Sequence, residues 1–461
     1  MSVKEEGIRR LIYTFWEDSL ENVKERIRDY SFVTQDFVND IVGLRRSGKT
    51  YTMFYVVKLF EKEFGREQFV YLNCEHRSVY PLKLEDLNYL ITFIHQQGLL
   101  KKKVFLLLDE VQTVKGWEVF VKSVHDEFNG KIKIIVSGSV KSLLSKEYGR
   151  LLSGRHLTVK NFPLSFREFL MFKGMGETFR ITEEREAKIR RFSEEYIKFG
   201  GLPKFVLTGE RQYLEEVLND IIERDVKGRV DLRKREVVDD MAALLMERVS
   251  SYISFIKLRN ILREKGYRVS TDLIIRYASI FSDVFLFHFL PVFSTKYSSI
   301  VKGNKKVYVA DNGFISIFPL KISENIGKLM ENTVFTELLK RGLDTYKNLF
   351  YYKDSQQNEV DFVVKKGERV EQLIQVTYAS GKDEVEKREI SSLVKAGNTL
   401  KCENLHVITW NYEDTLKFEG KSVRFTPLWK WLLEVEWKPR NATDTPPDRG
   451  NGKLSNFPSK A

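Results

Sequence analysis

The chain has 461 residues, with 76 Lys and Arg against 64 Asp and Glu, a formal net charge of +12. Charged residues make up 30% and hydrophobic residues 42%, so a large core can be buried and wholesale disorder is excluded. Only two cysteines, Cys74 and Cys402, are present, which excludes a disulfide framework and a four-cysteine zinc site.

The first 35 residues read as a charged amphipathic helical entry, with Ile8, Leu11, Ile12 and Phe15 at helical spacing. They lack the apolar core of a secretory signal, and the longest apolar stretch, 284–293, is broken by His288 and too short for a bilayer. A soluble, cytoplasmic protein without membrane association is expected. Short apolar runs then alternate with helical stretches: FVNDIVG (37–43), FVYLN (69–73), VFLLLDE (104–110) and IKIIVSGS (132–139). Strands this apolar are buried on both faces, as in a parallel sheet covered by helices. Residues 1–160 therefore read as an α/β nucleotide-binding core with its helical entry.

Residues 161–245 turn helical and charged and contain the turn GGLP (200–203). Between 246 and 325, one helix ends at Gly266 and a second starts at Ser270 or Thr271, both good N-caps. Two β-rich runs follow, VFLFHFLPVFS (284–294) and KKVYVADN (305–312), giving a winged-helix pattern. Residues 326–437 read as a mixed α/β module with strands at 349–353, 359–364, 371–379 and 405–410. The tail, 438–461, is polar and rich in Pro, Gly and Asn, the composition of a disordered segment.

The sharpest motif is GLRRSGKT, Gly43 to Thr50, a full GxxxxGK[ST] match between a buried-strand pattern and an apolar-periodic helix. Gly43 and Gly48 let the backbone curl so that its N–H groups cradle phosphates, and Arg46, Ser47 and Tyr51 complete the expected nucleotide cradle. Lys49 is placed to reach the β- and γ-phosphates of ATP, and the Thr50 hydroxyl to bind Mg²⁺. A second signal is Asp109-Glu110 directly after five apolar residues, at the strand end where ligands sit in open α/β sheets. Asp109 is assigned to Mg²⁺ through its water shell and Glu110 to polarising the attacking water. Ser139, at the end of a third strand, is placed to sense the γ-phosphate or position the water. Arg150 and Arg155 are candidates for a transition-state arginine given to a neighbouring subunit, or for ordinary surface ion pairs.

In their order, GLRRSGKT, FLLLDEVQTVKGWE, IIVSGSVKSLLSKEYGRLLSGR, FPLSFREFL and GGLPKFV resemble the archaeal and bacterial AAA+-type ATPases that carry a C-terminal nuclease-like domain of unknown function. The resemblance continues through YVADNGF (308–314), MENTVFTELL (330–339) and NEVDFVV (358–364). It implies a P-loop NTPase core, a helical lid, a winged-helix domain and a C-terminal restriction-endonuclease-like α/β domain. It also implies that Ser139 is the first sensor, that Gly201 and Pro203 sit where the lid closes over the nucleotide, and that subunits assemble as rings, often hexamers.

A nuclease centre of the implied type needs carboxylates for Mg²⁺ and a lysine for the nucleophile. Glu331 fits its helix position and Asp361 its strand position, but the expected E-x-K strand reads Gln375-Val-Thr377. The centre is therefore read as degenerate, with Lys365 and Lys366, beyond Asp361, as lysines that could migrate into the role. The six histidines show no metal-ligand spacing, and the aromatic clusters are taken as core.

Positive charge is concentrated in two stretches, 101–200 with 20 basic against 13 acidic residues and 251–350 with 15 against 8. Arg259, Arg263, Lys265, Arg268 and Arg276 are the candidate DNA-phosphate contacts. The leading expectation is an ATP-driven oligomeric motor that remodels branched DNA, as in Holliday-junction migration. The alternatives are a nucleotide-dependent DNA-binding switch without translocation and an ATP-gated nuclease.

Overall fold

The computed structural model describes residues 2–138, 146–176, 182–231, 234–318 and 325–434. Ser139 and the 438–461 tail lie outside these residues.

Five strands form a parallel sheet: β1 (Val38–Gly43), β2 (Phe69–Asn73), β3 (Val104–Asp109), β4 (Ile132–Ser137) and β5 (His156–Asn161), in the order β2-β3-β4-β1-β5. β1, β3 and β4 bury every residue, and successive side chains alternate between two cores. Val42, Leu106 and Ile134 join a core with Ile8 and Ile12 of the helix Val3–Glu17, whereas Ile41, Leu107 and Ile135 join one with Val56 and Val57 of the helix Lys49–Phe64. β5 lies at the sheet edge and is only partly buried. Its sequence HLTVKN therefore mixes polar residues in at more positions than β3, VFLLLD.

The helices Phe166–Phe172, Glu183–Phe199, Pro203–Thr208 and Arg211–Asp220 follow, and the last continues into a π-helical turn at Ile221–Val226. After the helix Glu236–Glu247 comes a three-stranded antiparallel sheet of β6 (Ser251–Ile253), β7 (Phe287–Pro291) and β8 (Lys305–Val309), in the order β6-β8-β7. Between β6 and β7 lie the helices Phe255–Glu264 and Thr271–Asp283, capped by Ser254 and Ser270. The β-rich run expected from residue 284 begins later, because Val284 caps the preceding helix and Phe285 takes a left-handed φ of 61°.

A six-stranded mixed sheet completes the chain: β9 (Leu349–Lys353), β10 (Glu359–Lys366), β11 (Arg369–Val376), β12 (Leu405–Thr409), β13 (Asp414–Phe418) and β14 (Lys421–Pro427). Its order is β13-β14-β12-β11-β10-β9, with parallel pairs β11–β12 and β12–β14 and antiparallel pairs elsewhere. The helix Ile326–Lys340 packs on both β8 and β11 and is buried nearly all round, so its sequence shows little amphipathic contrast. Among the described residues no helix is long and apolar enough to cross a membrane.

Two of the sequence motifs fit together. Asp311, in the ADNG turn after β8, accepts from Gly201 N (2.7 Å) and Gly313 N (2.9 Å). Asn312 donates to Ile197 O, and Asn332 both donates to Asn312 Oδ1 (2.7 Å) and pairs with the backbone of Val309. These buried polar groups are all satisfied, which is the condition for keeping them in a core. Gly200 has φ +74° and a Cβ there would lie 1.7 Å from Asp311 Oδ1, whereas Gly209, at φ +72°, faces open space. Gly200→Ala is expected to cost on the order of 2 kcal/mol more than Gly209→Ala, since both share the backbone penalty but only one displaces Asp311. Thermal melts of the two variants check this; equal melting temperatures would remove the steric role.

Candidate functional site

The phosphate loop joins β1 to the helix Lys49–Phe64, with Arg46 at φ 63° and Gly48 at φ 95° curling the backbone. Gly43 closes against β5, where a Cβ would fall 2.0 Å from Asn161 O. The loop is held from beneath. Arg26 Nη1 and Asn161 Nδ2 both donate to Ser47 O, at 3.0 and 2.9 Å. Asn161 Oδ1 accepts from Thr52 Oγ1 (2.9 Å) and Arg28 Nη2 (2.6 Å). Arg26 also pairs with Glu168 at 2.7 Å, both side chains being almost fully buried. Ser47 is fully buried and serves this scaffold.

At the loop mouth, Thr50 Oγ1 donates to Asp109 Oδ2 at 2.7 Å. Asp109 also accepts from Tyr71 OH (3.1 Å) and from Ser137 Oγ, so its carboxylate is fixed from three sides. Lys49 Nζ lies 3.4 Å from the carbonyl oxygens of Gly43 and Leu44. Burial lowers its pKa, while Glu110 and Asp109 pull the other way. Glu110 follows Asp109 in a left-handed conformation, φ 52°, and its Oε2 accepts from Gln112 Nε2 at 2.7 Å. Hydroxyl and carboxylate oxygens side by side at a loop of backbone N–H groups are the donor set that a Mg²⁺-nucleotide needs, so these residues fit that group.

The remaining loop residues diverge. Arg45 makes a bidentate pair with Asp225 of the π-helical turn, at 2.8 and 2.7 Å. Arg46 and Tyr51 are exposed. Pro203 does reach the loop, 3.9 Å from the Cβ position of Gly48, but the Gly201 N–H is already taken by Asp311. That N–H is thus committed within the chain. Arg155 pairs with Asp126 at 3.1 Å and lies where β1 and β5 begin, at the sheet edge opposite the loop, while Arg150 is exposed on the helix Lys146–Leu151. In its own chain Arg155 makes a surface ion pair.

Of the basic candidates, Arg259 donates to Thr271 Oγ1, Arg263 to Val269 O, and Lys265 pairs with Asp240, so these three brace the turn between the two helices and its neighbour. Arg268 and Arg276 are exposed.

Glu331 and Asp361 do come together, and Gln375 and Thr377 flank them: Gln375 Oε1 lies 3.4 Å from Asp361 N, and Thr377 hydrogen-bonds Glu389. Between the acids sits a residue that the reading of the sequence passed over. Lys306 Nζ lies 2.8 Å from Asp361 Oδ1, 2.9 Å from Glu359 Oε1 and 3.1 Å from Glu331 Oε1. Burial works against this ammonium, but Asp361, Glu331 and Glu359 outweigh it and hold it well above the ordinary lysine range. Lys365 and Lys366 stay on the outer end of β10. Tyr71, Asn161, Arg26 and Asp225 were likewise missed, whereas Ser137 belongs to the Ser137-Gly-Ser139 strand end that the sequence singles out. The four lie on other strands, on the π-helical turn or in the segment before β1, and no spacing rule links them to the loop.

Family models match three consecutive parts of the chain: an AAA domain over residues 36–170, a domain of unknown function (DUF8612) over 190–324 and another (DUF4143) over 326–431. The uncharacterized protein MJ1544 of Methanocaldococcus jannaschii is 35% identical over 404 residues, covering 85% of this chain and 87% of the relative. An uncharacterized protein of Haemophilus influenzae is 27% identical over 421 residues, covering 90% and 98%. Among solved structures, the Walker-type ATPase PABY2304 of Pyrococcus abyssi superposes with a TM-score of 0.39 at 15% identity, over 68% of this chain and 94% of that one, too loosely to bear on function. The loop with its lysine, threonine and paired acids, the AAA match that contains them and the full-length archaeal relative agree: the chain belongs to the family of MJ1544, a family of P-loop ATPases of the AAA+ type.

Proposed function

We propose that the chain is an ATP-hydrolysing, oligomeric DNA-binding motor, with branched DNA such as a four-way junction as its substrate class. The observation that carries the ATPase half is the 2.7 Å contact between Thr50 and Asp109 with Glu110 beside it. Bound Mg²⁺ would neutralise charge on the β- and γ-phosphates, held by Thr50 and by Asp109. Lys49 binds the same phosphates, and the loop N–H groups orient them. Glu110 takes the proton of the attacking water, with Gln112 fixing the carboxylate. Arg150 or Arg155 of a neighbouring subunit completes the charge on the transferring group. Pro203 lies 3.9 Å from the Cβ position of Gly48, which supports a lid that senses the nucleotide through the GGLP turn.

The DNA half rests on the two basic stretches and on Arg268 and Arg276, which stay exposed on the helix pair between β6 and β7. We read that pair with its sheet as a winged helix, and the C-terminal module as a nuclease fold that does not cut. ATP turnover is expected to rise several-fold with duplex or four-way DNA at low salt and to lose that stimulation as salt is raised, because phosphate contacts release counterions. Turnover is measured with no DNA, single strands, duplex and four-way junctions, beside a branch-migration assay. No stimulation and no DNA binding at low salt would defeat the motor reading. The Gln112 contact on Glu110 favours a second reading, a DNA-binding switch that hydrolyses ATP once and slowly. Single-turnover kinetics without migration would select it.

A further inference from the structure

The cation in the acidic centre of the C-terminal module comes from the chain itself. Lys306 lies on β8, opposite Tyr252 of β6 and Leu290 of β7, and its side chain is only 2% exposed. Its neighbour Lys305 points the other way and spends its ammonium on the carbonyls of Ile300, Val301 and Gly303. The Lys306 ammonium instead crosses to the six-stranded sheet and gives one carboxylate contact for each of its three protons, to Glu331, Glu359 and Asp361.

Two further contacts brace the shell. Asp361 Oδ2 accepts from Val376 N at 2.9 Å, and Glu331 Oε1 accepts from Tyr308 OH at 2.7 Å. Tyr308 is itself fixed by stacking on Phe335, with ring centroids 4.0 Å apart. A Mg²⁺ ion needs six oxygens at about 2.1 Å, several of them water. The ammonium fills that volume at hydrogen-bond distance, and no such shell fits around it. The residues present do not suit a resident metal.

We infer that Lys306 is a built-in replacement for the divalent metal of this centre, so that the two nuclease-type acids, Glu331 and Asp361, serve with Glu359 as a socket clamping β8 to the six-stranded sheet. This rests on reading the C-terminal module as nuclease-like. It also gives the buried charge cluster a mechanical use. β8 is anchored at Lys306, and the turn that follows it holds Gly201 through Asp311, next to Pro203, which lies 3.9 Å from the Cβ position of Gly48 in the phosphate loop.

The test is Mn²⁺ binding to the full chain without nucleotide, followed by electron paramagnetic resonance, together with melting temperatures. Wild type is expected to take up no Mn²⁺ that depends on Asp361. Lys306→Ala is expected to melt lower, to gain about one Mn²⁺ per chain and to recover melting temperature as Mn²⁺ is added; Lys306→Ala with Asp361→Asn should lose that gain. Mn²⁺ bound by wild type and abolished by Asp361→Asn overturns the inference, as does a folded Lys306→Ala that takes up none. Should Lys306→Ala not fold even with Mn²⁺, the inference also fails, because the metal then does not substitute for the ammonium. ATP turnover is a separate readout, so a failed motor reading and a failed socket reading are told apart.

Discussion

Glu110→Gln is expected to lower ATP turnover by about 10²- to 10⁴-fold while ATP still binds, since general-base catalysis is worth that much and the amide keeps the shape of the carboxylate. The loop, Lys49 and the Thr50–Asp109 pair are untouched by the change, so affinity for the nucleotide should stay within a few-fold of wild type. Lys49→Ala should behave differently and lose both binding and turnover, because Lys49 is the cation set among the loop carbonyls and the two acids. Fluorescent-nucleotide titration beside steady-state phosphate release separates the two effects. A Glu110→Gln variant that turns over at the wild-type rate would show that another group activates the water.

The second large effect is on stability and lies under the loop. Arg26→Ala leaves Glu168 buried, with two backbone N–H groups, those of Ser165 and Ile27, but without its directly paired cation. Breaking a buried pair from one side typically costs about 3–5 kcal/mol, equivalent to a drop on the order of 10 °C in melting temperature. The same change removes a donor from Ser47 O, so nucleotide affinity should fall as well. Replacing both partners, as Arg26→Met with Glu168→Met, should recover much of the stability but not the nucleotide affinity, because an apolar pair does not hold the loop carbonyl.

The pair also gives a pH dependence with a definite sign. Burial alone would raise the Glu168 pKa, yet Arg26 and the N–H groups of Ser165 and Ile27 outweigh it and hold the carboxyl below the ordinary range. Its contribution is therefore fully present above the pKa of an unfolded glutamate and is lost as pH falls through the lower folded value. Melting temperature against pH in acid should fall more steeply for wild type than for Glu168→Gln. Parallel curves would mean that the ion pair does not contribute.

The parallel core and its phosphate loop were legible because both are local. β1, β3 and β4 are buried on both faces, so each is predominantly apolar, with the buried Asp40 and Lys133 hydrogen-bonded inside the fold, and the loop needs its glycines, lysine and threonine within eight consecutive residues. Asp109 and Glu110 could be paired with that loop from sequence because strand ends in such a sheet share one edge. The edge strand β5 and the hairpin β13–β14 escaped notice, since half-exposed strands mix polar residues into the pattern. Side chains that act across the chain were beyond any spacing rule.

Arg26 meets Ser47 and Glu168, Asp311 meets Gly201, and Lys306 meets Glu331, Glu359 and Asp361 over separations that only packing closes. The E-x-K strand illustrates the division. From the sequence, Gln375 and Thr377 stand for a missing cation. In the fold, a lysine from another sheet supplies one, because a buried group of acids requires positive charge from whichever element can reach it. Four strands of the parallel sheet, the loop and the Asp109–Glu110 pair are readable along the chain. Which charges meet follows only from packing, since charge pairing in a low-dielectric interior depends on distance in space and leaves no period along the chain.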